Sequence, residues 1–166
     1  EMVKALKPSG TLVLLQDDEN VRKLAELSPA KKIITYGFSR GSLVHGSKSS
    51  VVYEGRGPHR RPTGMRFVFT YEGKSAEVAV KNSIGRQGPY AILAAAAVGI
   101  ALEKDITELA HALSVFEGQV GRMRILPGVK KTSIIDDTYN SSPVAVKEAL
   151  DALSHLKIKG RKFAVL

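Results

Sequence analysis

Ile134 to Pro143 reads IIDDTYNSSP, and the order of residue types in it points to the fold class. The run Thr132 to Ile135 predicts a strand, and two carboxylates, Asp136 and Asp137, leave its end. Ser142 can cap a helix and Pro143 can open it. That helix carries Val146, Ala149, Leu150, Leu153 and Leu156 at helical spacing, and Lys162 to Leu166 reads as the next buried strand. Strand–helix–strand units build α/β sheets, in which ligands bind at the carboxyl ends of the strands. The loop Asp136 to Ser142 falls at that place. A carboxylate at a strand end can hold ribose hydroxyls or coordinate a cation, and Tyr139 and Asn140 follow closely. The same spacing also describes an ordinary helix entry built of Asx turns, in which Tyr139 packs on the helix. Spacing alone leaves both readings open.

Upstream, Thr11 to Gln16 (TLVLLQ) predicts a buried strand, Asp18 a cap for a helix over Glu19 to Glu26, and Lys32 to Tyr36 a second strand ended by Gly37. This order again suggests a parallel sheet. Val51 to Tyr53 reads as a short strand, and Met65 to Tyr71 with Ser75 to Val80 as a hairpin around Glu72-Gly73 at the sheet edge. Pro89 suits the first turn of a helix from Tyr90 to Leu102, whose alanines allow another element to approach closely. Asp105 caps Ile106 to Phe116, with Glu108 at a capping-box position. Gly118-Gln119-Val120-Gly121 has the composition of an interdomain hinge. At the chain ends, Glu1 to Lys7 reads as a helix in progress and Lys162 to Leu166 stops inside a strand. Both are expected of a fragment.

Composition bounds the rest. The 166 residues are 43% hydrophobic and 25% charged, an ordinary globular mixture. With no cysteine there is no disulfide framework, thiol nucleophile or Cys-ligated metal, and the chain suits a reducing compartment. Four scattered histidines form no zinc pattern, so no metal site is assigned. No apolar run reaches the roughly 18–20 residues of a spanning helix. The net charge of +9 favours anionic partners. Its densest cluster, Arg56 to Arg66, reads as a solvated loop. With 6% aromatic residues and no Trp, nucleic-acid binding is not expected.

The IIDDTYNSSP stretch resembles the D-D-x-Y-N-A-N-P signature of the Mur ligase family, with Ser141 and Ser142 replacing Ala and Asn. Gly121-Arg122-Met123 resembles the family's G-R-M element, Gly85 to Ala95 (GRQGPYAILAA) its G-x-H-x-x-x-N-x-L-A-A helix, and Leu12 to Asp18 (LVLLQDD) its V-L-N-x-D-D element. The resemblance implies an α/β fragment. Residues 1–118 would be the back half of the central ATPase domain, a parallel sheet with antiparallel edge strands. Residues 119–166 would begin the Rossmann-like C-terminal domain. It further implies an ATP- and Mg²⁺-dependent amide ligase of cytoplasmic peptidoglycan precursor synthesis. Such an enzyme joins D-alanyl-D-alanine to a UDP-muramoyl-peptide through an acyl phosphate.

The phosphate cradle G-x-x-G-K-[ST] and the family's carbamylated lysine are absent, so the chain holds no catalytic residue and is expected to be inactive alone. The resemblance places ATP binding at Arg122, Asp136, Asp137, Tyr139 and Asn140, with Asp137 favoured for the ribose. It adds Gln87, which stands where the family has His. Ala91 stands where the family has an adenine-contacting Asn, and alanine cannot make that hydrogen bond. Two alternatives remain open. One is a ligase of the same superfamily acting on another peptide or polyglutamate. The other is a non-catalytic Mur-like or basic binding module.

Overall fold

The structure, a computed structural model, describes residues 1–166 apart from the side chain of Pro58. Strand β1 (Thr11–Leu15) turns Leu12 and Leu14 inward and pairs in parallel with β2 (Lys32–Gly37), Thr11 opposite Lys32 and Leu15 opposite Tyr36. Between them Asp18 accepts hydrogen bonds from the N–H groups of Asn20 (2.8 Å) and Val21 (3.1 Å). These bonds satisfy two of the donors a helix start leaves open. They launch α1 (Glu19–Lys23), which tightens into a 3₁₀ turn over Leu24–Leu27. Val21, Leu24 and Ala25 pack on Leu12, Leu14 and Ala30, the face read from the sequence.

Strand β2 continues in parallel to β3 (Val44–Glu54), with Tyr36 opposite Val44 and Gly37 opposite His45. Strands β4 (Arg61–Tyr71) and β5 (Lys74–Lys81) follow. The two-residue turn between them has φ of +46° at Glu72 and +78° at Gly73, the paired positive values of a type I′ hairpin. The strand order β1-β2-β3-β4-β5 therefore joins a parallel side to an antiparallel edge, as the sequence led us to expect. Helices α2 (Gln87–Ala101) and α3 (Ile106–Leu113), strands β6 (Arg124–Pro127) and β7 (Ser133–Asp136), and helix α4 (Pro143–His155) complete the chain.

Two compact units divide these elements. The first comprises Glu1–Ser49, Phe67–Val78 and Tyr90–Ser114; the second Ser50–Arg66, Ala79–Pro89 and Val115–Leu166. In the first, Phe67, Phe69, Ile92, Leu93, Ala96 and Ala97 are buried. Full burial of each Phe contributes about 1.5–3 kcal/mol. Helix α3 comes close to α2 at Gly99, where a Cβ would strike the Leu109 side chain. Asp17, at the end of β1, accepts the N–H groups of Phe38 (2.8 Å) and Ser39 (2.9 Å) and the Tyr90 hydroxyl (2.6 Å). In the second unit the core is Met65, Ile84, Met123, Ile125 and Leu156, with Ala149, Ala152 and Leu153 of α4 packed on it. The glycine-flanked segment expected as a hinge is stitched along the end of β5. Gly118 N–H donates to the Lys81 carbonyl, and Ile125 N–H to that of Asn82, both at 2.9 Å.

Several expectations are corrected. The strand Lys162 to Leu166 does not form; residues 161–166 are exposed and belong to neither sheet. A strand exists only through its ladder, and this segment pairs with no described strand. Strand β7 pairs antiparallel with β6, Arg124 opposite Asp136, so the expected βαβ unit is a two-stranded ribbon plus α4. Residues 1–7 form a single 3₁₀ turn over Met2–Ala5. One turn is too short to propagate as a helix before Pro8. Strand β3 is far longer than Val51–Tyr53, because it lies between β2, which pairs with Val44 and His45, and β4 on its other side. Helix α2 starts at Gln87, since Pro89 lies in the first turn where its missing N–H is harmless. Helix α3 stops at Leu113, with the Ser114 hydroxyl donating back to the His111 carbonyl at 2.7 Å.

Asp17 generates two predictions. Burial raises its carboxyl pKa, but the hydrogen bonds from Tyr90, Phe38 and Ser39 outweigh burial and hold it below the ordinary 3.8. A carboxyl whose folded pKa is lowered stabilises above its unfolded value, about 3.9, and that stability is lost as pH falls through the folded value. Asp17→Asn should therefore flatten the acid limb of a stability–pH profile. Tyr90→Phe should lower denaturant stability at neutral pH by about 1.5–3 kcal/mol, the range for a hydrogen bond to a charged group.

Candidate functional site

The second unit assembles most of the residues picked out by the sequence. Strand β7 ends at Asp136, and its antiparallel pairing with β6 brings the segment before β6 alongside the loop after β7. The Asp136 Oδ2 accepts the Gly121 N–H at 3.1 Å. Its Oδ1 accepts the Thr138 hydroxyl at 2.7 Å and the Thr138 N–H at 3.3 Å. Asp137 Oδ1 accepts the Met123 N–H at 3.1 Å. The Tyr139 N–H donates to the Gly121 carbonyl at 3.1 Å. Residues 121–123 and 136–139 are thus laced together by both carboxylates.

Gly121 is required by this contact. Its φ is +69°, and a Cβ there would lie 2.9 Å from the Tyr139 backbone nitrogen and Cβ. The lacing places the Arg122 guanidinium over the Tyr139 ring at 4.3 Å, an exposed cation–π pair. Tyr139 is 71% exposed, so it does not pack on α4 as the plainer reading of the loop proposed. The helix-entry part of that reading does hold: Ser142 Oγ accepts the Ala145 N–H at 3.2 Å and Pro143 opens α4. The Asp136 carboxyl pKa is held below its ordinary value, because the hydrogen bond from the Thr138 hydroxyl, with those from the Thr138 and Gly121 amides, outweighs partial burial, and Arg124 adds positive charge.

Arg122, Asp136, Asp137 and Tyr139 therefore share one locus. Asn140 is exposed in the loop leading to the Ser142 cap. Gln87 lies elsewhere in the same unit. It lines a cleft of about 420 Å³ with Arg86, Met123, Lys147, Glu148 and Asp151, a lining that includes none of residues 136–140. Ala91, on α2, is exposed.

Sequence reasoning missed Arg124. It sits opposite Asp136 in the ribbon, and its Nε is buried without a hydrogen-bond partner among the described residues. Only recognition of β6 could have revealed it, and RILP is too short for its alternation to show.

The locus offers an open carboxylate, a cation and an aromatic face. Among the described residues no side chain takes Asp137 Oδ2, which can accept from a hydroxyl. This donor and acceptor set suits a ribose beside a flat base. For a metal the result differs: no three His, Cys, Asp or Glu side chains converge among the described residues. In phosphoryl-transfer sites Mg²⁺ is held largely by phosphate oxygens and waters, so no step is assigned to it.

Comparison with known proteins gives the class to which this fold corresponds. No family model matches the chain. It is 30% identical over 160 residues to the UDP-N-acetylmuramoyl-tripeptide–D-alanyl-D-alanine ligase of Mycobacterium leprae, covering 93% of the chain and 30% of the relative. It is 32% identical over 164 residues to the UDP-N-acetylmuramate–L-alanine ligase of Rubrobacter xylanophilus, covering 98% and 33%. Among solved structures, MurF from Acinetobacter baumannii superposes with a TM-score of 0.75 at 20% identity, over 94% of this chain and 32% of that one. The MurF ligase of Thermotoga maritima in complex with ADP superposes with 0.65 at 22%, over 92% and 32%. The homologues of this chain are Mur ligases, and its fold is that of part of MurF. The chain spans about a third of their length.

If the carboxylates hold the loop, removing one must loosen the amides it holds. In Asp136→Ala, the Gly121 and Thr138 amides should exchange with solvent about fivefold faster, as expected for a bond of about 1 kcal/mol. Native-state hydrogen exchange reads this directly, and unchanged Gly121 exchange would contradict the lacing.

Proposed function

We propose that the chain is part of an ATP-dependent amide ligase of peptidoglycan precursor synthesis, joining D-alanyl-D-alanine to a UDP-muramoyl-peptide through an acyl phosphate. Residues 1–118 would be the back of its central ATPase domain and 119–166 the start of its C-terminal domain. The observation that carries the reading is the Arg122–Asp137–Tyr139 locus, in a chain whose homologues are Mur ligases.

In this reading Asp137 accepts a ribose hydroxyl through its second oxygen, while its first stays on the Met123 amide. Arg122 supplies positive charge from the face of Tyr139. Asp136 serves the site by orienting the loop, since both its oxygens already accept hydrogen bonds. Asn140 and Gln87 stand as further nucleotide contacts. ATP, when bound, supplies the phosphoryl group that activates the acyl substrate. The isolated chain lacks a phosphate cradle and should show no turnover.

A second reading has its own support. The L-alanine ligase relative matches as well as the D-alanyl-D-alanine ligase does, so the incoming amine could be L-alanine. Assay of the full-length enzyme with each amine separates the two.

For the nucleotide site, Asp137→Ala and Arg122→Ala in the full-length enzyme should each raise the ATP dissociation constant roughly ten- to a hundred-fold, as loss of a charge-assisted hydrogen bond predicts. Asp136→Ala should do less. Nucleotide titration of the three variants decides it. If Asp136→Ala is the damaging change, the ribose carboxylate is assigned one residue too late.

A further inference from the structure

Strand β6 begins at Arg124, a residue for which the nucleotide reading has no use. The ribbon register sets it opposite Asp136. Directly opposed residues of an antiparallel pair project on the same face. The next pair, Ile125 and Ile135, packs in the core of the second unit, so Arg124 and Asp136 share the face turned away from that core. The backbone on either side of Arg124 is pinned. The Met123 N–H donates to Asp137 Oδ1, the Met123 carbonyl accepts the Ile84 N–H at 3.0 Å, and the Ile125 N–H donates to the Asn82 carbonyl. Met123 takes a φ of +49°, a left-handed value that a bulky residue adopts only where its surroundings hold it. Arg124 therefore has little freedom to leave its place opposite the carboxylate.

That place is unfavourable for an arginine taken alone. The residue is half-buried, and its Nε is buried without an acceptor among the described residues. A buried donor without an acceptor opposes folding, and an apolar residue here would avoid the penalty. Among the described residues the rest of the guanidinium makes no hydrogen bond or ion pair either. Asp136 is already satisfied by others: its Oδ2 accepts the Gly121 N–H, and its Oδ1 accepts the Thr138 hydroxyl and N–H. What Arg124 supplies is charge. The Thr138 hydroxyl does most to keep the carboxylate ionised, and the positive charge of Arg124 adds to it. The ionised form is the one that accepts all three bonds at full strength.

We propose that Arg124 is a positioning residue of the nucleotide locus: its charge holds the Asp136 carboxylate on the Gly121 and Thr138 amides, and so keeps Arg122, Asp137 and Tyr139 in register. The proposal rests on the nucleotide reading of that locus. The route is short. Gly121 gives its N–H to Asp136 and its carbonyl to the Tyr139 N–H, so a loosened Gly121 frees Tyr139 as well. Arg122, stacked on Tyr139, lies between Gly121 and Met123, the residue that holds Asp137.

Variants of the full-length protein separate charge from packing. Arg124→Met keeps an unbranched stem and removes the charge; Arg124→Lys keeps the charge. In Arg124→Met the Gly121 and Thr138 amides should exchange about two- to fivefold faster, as expected for loss of a charge contact near the surface, and the ADP dissociation constant should rise by a similar factor. Arg124→Lys should restore both. The thermal midpoint should not fall in Arg124→Met, because methionine also removes the orphaned donor. The exchange difference should shrink as salt rises, which a packing effect would not do. In a protein already carrying Asp136→Asn, Arg124→Met should add nothing. Unchanged exchange in Arg124→Met, equal effects of methionine and lysine, or an undiminished effect beside Asp136→Asn would each overturn the proposal. Asp137→Ala tells the two possible failures apart. If it weakens ADP binding and Arg124→Met does not, the role given to Arg124 is wrong; if neither weakens it, the nucleotide reading fails and the proposal with it.

Discussion

Asp136 and Asp137 turn their carboxylates onto one backbone segment, and the order of the second unit's loops follows from that. Four backbone amides between Gly121 and Tyr139 find their acceptors across or within this contact. Backbone donors left unpaired at a partly buried site would each cost about 1–3 kcal/mol, so two side chains settle the course of two loops at once. The contact is close enough that residue 121 must be glycine. Its consequence at the surface is the Arg122–Tyr139 pair, held ready by bonds made beneath it. A nucleotide reaching this locus would meet groups already in position, which reduces the ordering that binding must impose.

The first unit uses the same device independently. Asp17 lies just past the end of β1 as Asp136 closes β7, and it too accepts two backbone amides and a hydroxyl. In each case a carboxylate at a strand end fastens the next loop, and hydrogen bonding keeps it ionised against partial burial. The two carboxylates differ in their neighbours. Asp17 is closed over by the aromatic pair Phe38 and Tyr90, whose rings meet edge-on at 5.2 Å. Asp136 is followed at once by Asp137, which keeps an oxygen available.

Much of this was legible because short-range chemistry decided it. Asp18, Asp105 and Ser142 each cap the helix that follows, as their residue types require. Glu72-Gly73 makes the tight hairpin, and the stripe Val21, Leu24, Ala25 finds the core. The errors came where pairing between distant segments decides. The polar half of β3 is a strand because the segment sits between β2 and β4 in the sheet. RILP is β6 through its pairing with β7, while RKFAVL pairs with no described strand. At the site the residue types were readable, and Asp137 was already favoured over Asp136 for a ribose, but the bonds each carboxylate makes were not. Hydrogen-bond geometry shows Asp136 occupied on both oxygens and Asp137 on one, and separates Gln87 into its own cleft.

The central claim is that residues 121–123 and 136–140 hold the nucleotide in a Mur-type ligase. Difference hydrogen exchange of the full-length protein, with and without ADP, addresses that segment by segment. The account predicts slower exchange on ADP binding in both peptides, around Met123 and around Tyr139, together. Saturating ADP that slows exchange elsewhere and leaves both of these peptides unchanged would contradict it.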